Sequence, residues 1–170
     1  METKLELKIK AFEYILYKLK QWNNDFKENE KTRLLTKKQH LALLFIVCMA
    51  NKDDDRTIIF SIFDNFFALE EGIIEKDIWD NYNDIVMPET LPSRYEGIPY
   101  NIINDSIDHL KSLNKRIIHH PEKSLIDFTK GHLSWLIFTE SKTQKIATEH
   151  LIHEKSVYAN SNMDKNLIFG

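Results

Sequence analysis

At 170 residues, with 42% hydrophobic and 29% charged side chains, the chain is long enough for one ordinary core and too apolar to be disordered. Its formal charge of −3 is unevenly laid out: residues 1–40 carry ten Lys and Arg against six Asp and Glu, whereas residues 51–90 carry three against eleven. An acidic centre repels phosphates, which counts against nucleic acid and for a basic protein partner. Only four glycines and four prolines are present, too few for the corners of a multi-stranded sheet, so long helices are expected.

The lone Cys48 excludes an intrachain disulfide and suits a buried filler in a reducing compartment. Its ten-residue apolar run, 41–50, is well short of the roughly 20 that cross a bilayer. A cytoplasmic location with no membrane partner is expected.

In chain order, Leu5, Ile9, Phe12, Leu16 and Leu19 recur at three and four, the period of an amphipathic helix over 3–29. Thr36 with Gln39 makes a capping-box pattern at the head of a second helix, whose run 41–50 is apolar all round and therefore central. Asn51–Asp55 ends it. Three adjacent aspartates lack the alternation, the glycine and the final glutamate of an EF-hand, so no metal is expected there.

Residues 57–67 hold Ile58, Ile59, Phe60, Ile62, Phe63, Phe66 and Phe67, too many apolar side chains for one face. Periodicity leaves helix and strand open for this run, and 57–63 is the one candidate extended segment. Gly72 followed by Glu75 reads as the start of a helix over about 73–85, with Ile74, Ile78 and Tyr82 four apart and Trp79 beside them. A Pro-rich loop spans 87–99. Asn101 can cap a helix to about 114, and Pro121 and Gly131 bracket a short one. Ser141 with Gln144 repeats the capping-box spacing and opens a last helix to about 159. These elements make an all-α fold of about six helices in a single domain, 1–159, followed by a flexible polar tail, 160–170.

Chemistry is not signalled. No nucleophile elbow, P-loop or Gly-rich dinucleotide turn occurs, and His150 and His153, three apart, lack the further ligands of a zinc site. Neither a catalytic role nor a cofactor is expected.

One stretch carries more. The succession Phe66, Ala68, an acidic pair, Gly72, Ile74, Glu75, Asp77 and Ile78, with Ser124-Leu-Ile-Asp-Phe-Thr-Lys130 and Trp135 downstream, resembles the Panacea domain, the SocA-like antitoxin family. Ile73 stands where that family usually has proline, and Lys130 where it has histidine. The resemblance implies a helical module that neutralises a cognate toxin by direct contact or as an adaptor for its degradation. It places partner binding around Phe66, Phe67, Gly72, Ile74, Glu75 and Trp79, whose apolar members would equally suit a core. The alternatives are a mobile-element or phage protein that counters host defence, and a nucleic-acid binder using the basic first helix.

Overall fold

Two threonines set the helical frame of the computed structural model, which describes residues 1–31, 35–52, 56–87, 89 and 97–154. Helix α1 (Lys4–Asn24) opens at Thr3, whose hydroxyl accepts from Glu6 N at 3.1 Å while the Glu6 carboxylate accepts from Thr3 N at 2.6 Å. It stops short of the expected residue 29, because Asn23, Asn24 and Asp25 favour local hydrogen bonds and the last turn has no cation to meet its carbonyls. A 3-10 turn, Glu28–Glu30, follows.

Helix α2 (Lys37–Met49) begins at the expected capping box of Thr36 and Gln39, and every residue from His40 to Met49 is buried. It is the central rod. Helix α5 (Tyr100–Leu113) and helix α6 (Glu122–Lys130) pack against it, as does the hairpin described next.

The segment 57–67 resolves into both of its options, not in the expected order. Arg56–Ile62 is helix α3, and the extended part lies at Phe66–Leu69 (β1), not at 57–63. Strand β1 pairs antiparallel with Gly72–Glu75 (β2), Phe66 opposite Glu75 and Leu69 opposite Gly72. Gly72 therefore closes a hairpin and does not start a helix; its φ of +104° suits the turn after Glu70-Glu71. The helix start moves to Glu75, whose carboxylate accepts from Asp77 N at 2.9 Å. Helix α4 (Lys76–Asn81) is short and passes into a 3-10 turn, Tyr82–Asp84.

Helix α5 begins two residues before and ends one residue before expectation, with Pro99, not Asn101, at its cap. Gly131 ends α6 as expected. The next helix, α7 (Leu133–Phe138), was not foreseen. The last, α8 (Thr148–His153), is far shorter than 141–159. Ser141 Oγ does accept from Gln144 N at 3.0 Å, but the motif makes a turn, and the next residues run along β1: Gln144 O accepts from Ala68 N at 2.8 Å and Phe66 O from Ile146 N at 2.9 Å. The fold is all-α in class, with eight α-helices and one two-stranded sheet among the described residues. None of these helices is long and apolar enough to cross a membrane. The aspartates 53–55, most of the loop 87–99 and the tail 160–170 lie outside the described residues.

Candidate functional site

The hairpin is a hub rather than a rim. Phe66 and Ile74 are buried in the core, Phe66 meeting Phe45 and Phe60 edge to face, and Glu75 is wholly enclosed. Phe67 and Trp79 are half-buried. Trp79 lies under the Lys37 ammonium, 3.9 Å from the ring centre, a cation–π contact that ties α4 to the head of α2. Gly72 is buried with Thr129 against it: a β-carbon there would come within 2.4 Å of Thr129 Oγ1. That same hydroxyl accepts from Ile73 N at 3.1 Å and donates to Ile126 O at 2.9 Å. Trp135 Nε1 donates to Leu69 O at 2.8 Å, and Lys130 stands over the Trp135 ring. The two sequence stretches, one around Gly72 and one from Ser124 to Trp135, are thus bonded to each other.

Two polar clusters flank the hairpin. In the first, the buried Lys8 ammonium lies 2.8 Å from Asp64, 2.8 Å from Glu75 and 2.6 Å from Asp77, and Lys4 also pairs with Asp64. Burial pulls the Lys8 pKa down, but the Glu75 charge and the hydrogen bonds of all three carboxylates overcome it, so the pKa is raised. Burial raises Glu75, and Lys8 opposes that shift. Asp64 is held low because Lys4 and Lys8 outweigh its desolvation. Three carboxylates whose oxygens lie within 4.8 Å of one another have the donor chemistry for a divalent cation. Lys8 Nζ already occupies the middle of the group, so the cluster is an internal ion-pair lock joining α1 to the hairpin.

The second cluster, Ser134, His150 and Glu154, has the residue types of an acyl-transfer triad but not its polarity. Ser134 Oγ lies 2.8 Å from His150 Nδ1 and donates its single proton to the Glu154 carboxylate. The histidine must then donate to the serine, the reverse of a general base, and Ser134 is wholly buried. Hydrogen bonds from His132 and Ser134 outweigh the desolvation that pushes Glu154 upward and leave its pKa low. Buried Arg56 donates to the Glu154 carbonyl and, at 3.0 Å, to Met49 O, one of the carbonyls left open at the end of α2. The cluster fastens the end of α8 to α7 and α2.

What faces outward is α7. Its inner side is held by Ser134 and Trp135, whereas Leu133, Leu136 and Ile137 are 53%, 56% and 47% exposed. Positions three and four apart share one helix face, so the three make a continuous aliphatic stripe. The stripe leaves no signal in the sequence, because a six-residue helix is too short to show a period. No family model matches this chain, and no curated protein or solved structure matches it either.

Proposed function

We propose that this chain is a protein-binding module of the kind its resemblance to Panacea antitoxins implies, acting by direct contact on a protein partner such as a toxin encoded beside it, with α7 as the contact face. The observation that carries the reading is the aliphatic stripe of Leu133, Leu136 and Ile137 on a helix whose other side is fixed by the buried Ser134, His150 and Glu154 cluster and by the hydrogen bond from Trp135 to Leu69. Large aliphatic side chains grouped on a rigid surface mark sites of association. Two further observations favour a protein over nucleic acid: Lys4, Lys8 and Lys10 on the basic first helix are engaged by Asp64, Glu75, Asp77 and Glu2, and the exposed side chains of Glu70, Asp80 and Asp84 keep the centre acidic. The residues around Gly72 serve this reading by positioning α7, since most of them are internal.

The test is co-expression with the neighbouring reading frame. Rescue of growth and co-purification should be seen with the wild type and be lost with Leu136→Asp. A Leu136→Asp variant that rescues as well as the wild type would remove α7 from the proposal. A neighbour that neither harms growth nor co-purifies would remove the antitoxin reading.

A further inference from the structure

Helix α7 and its two ends carry a pattern that matches its own complement when turned end for end. Leu133 and Ile137 stand equally far on either side of residue 135, and so do Lys130, the last residue of α6, and Glu140, in the turn that follows α7. The chain keeps winding past the helix end: Thr139 holds a helical conformation and its N donates to Trp135 O at 3.0 Å, and Ser141 N donates to Phe138 O at 3.1 Å. Glu140 therefore follows Leu136 by four residues and Ile137 by three, which continues the stripe, and it is exposed. At the other end Lys130 precedes Leu133 by three, with its ammonium 5.5 Å from the centre of the Trp135 ring. Neither Lys130 nor Glu140 is in an ion pair with another described residue. The face is thus an aliphatic centre with a cation at one end and an anion at the other, each without an opposite charge.

A two-fold axis that crosses the helix at residue 135 lays Leu133 on Ile137 and Lys130 on Glu140. An interface between identical chains requires such a match, because the same patch serves both sides and each residue must suit its opposite number in both directions. Equal charges at the two ends would fail it, since the axis would set like against like. Size sets the strength. Three aliphatic side chains per copy fall well short of the roughly 800 Å² that each side gives to a standard interface, so the association is reversible, with a Kd on the order of 100 µM.

We infer that two copies of this chain pair through α7 about a two-fold axis, with Leu133 of each against Ile137 of the other, Leu136 beside the axis, and Lys130 facing Glu140 twice. The pairing stands without the proposed function; only the competition of a second copy with a partner for this face rests on it.

The experiment is sedimentation equilibrium of the full chain from about 10 µM to about 1 mM, a range that brackets the expected Kd. The average mass should rise from that of one chain towards that of two, and Leu136→Asp should stay at one throughout. Lys130→Glu and Glu140→Lys should each weaken the pairing about tenfold, because each makes both charge pairs repulsive. An equimolar mixture of these two variants should associate at least as tightly as the wild type, since every pair in the mixed dimer is again opposite in sign; that recovery also shows that both variants are folded. A wild type that remains monomeric at the highest concentration, a dimer untouched by Leu136→Asp, or a mixture no tighter than its components overturns the inference. A neighbouring protein that binds wild type and Leu136→Asp equally while the wild type dimerises would sink the proposed function alone. A chain that never dimerises yet loses its partner on Leu136→Asp would sink the inference alone.

Discussion

Gly72 and Lys8 show how single positions hold this fold. Both Gly72 and Gly97 have positive φ, +104° and +91°, but only Gly72 has a neighbour in the way. Gly97→Ala should therefore destabilise by the backbone strain alone, about 1–2 kcal/mol. Gly72→Ala adds the collision with Thr129 and the loss of the hydroxyl's bond to Ile73 N, for about 3 kcal/mol or more. Urea midpoints of the two variants would check the difference. Replacing Lys8 with Met strands Glu75 and Asp77 beside Asp64, a loss of about 3–5 kcal/mol near neutrality. The loss should shrink in acid, where the carboxylates take up protons, and a second change, Glu75→Gln, should return part of it. Gly72, Ile74 and Glu75 stand out in the sequence, but the inward direction of the Ile74 and Glu75 side chains does not. Nothing local to Lys8 announces its pairing, because its three partners come from residues 64 to 77.

Among the elements, those that rest on local chemistry came through best. Thr36 and Gln39 start α2 where the capping pattern puts it, and the Thr36 hydroxyl also meets Glu122 at 2.6 Å, joining two helix heads. Thr36→Ala should reduce stability by about 1 kcal/mol, measurable by denaturant titration. The same pattern at Ser141 and Gln144 formed its hydrogen bond and yet made a turn, because Phe66 and Ala68 on β1 had backbone groups open for residues 144–146. A cap specifies an end of a helix only where no sheet edge competes for the backbone that follows. The hairpin was missed for a related reason: Gly72 followed by Glu75 suits a helix start as well as a turn, and the choice is made by Thr129, 57 residues downstream of Gly72.

Across the whole molecule, buried titratable groups give stability a pH dependence of definite sign. His40 is buried with its Nδ1 2.6 Å from the Tyr82 hydroxyl, and burial brings its pKa down to about 4. A histidine whose folded pKa lies below its unfolded value near 6.5 contributes fully above the unfolded value and loses that contribution as pH falls towards the folded one. The loss should amount to about 3 kcal/mol between pH 6.5 and 4. His119 and His120, also lowered by burial, act in the same direction. Asp64 and Glu154, held low, extend the decline below the ordinary carboxylate range. Urea unfolding across this window should show a steeper fall for the wild type than for His40→Asn. Nothing in the sequence marked His40, since burial on this scale emerges only when α2 is enclosed on all sides.

The outward face of α7 is the proposed contact surface, and calorimetric titration of the folded chain with the protein encoded beside it tests that proposal. Association through Leu133, Leu136 and Ile137 should give a negative heat-capacity change, as apolar burial does. Leu136→Asp should abolish it without moving the thermal unfolding midpoint by more than the change of about 0.5 kcal/mol usual for a surface site. Binding of equal strength by the wild type and Leu136→Asp, or the absence of binding by either, would contradict a contact made through this helix.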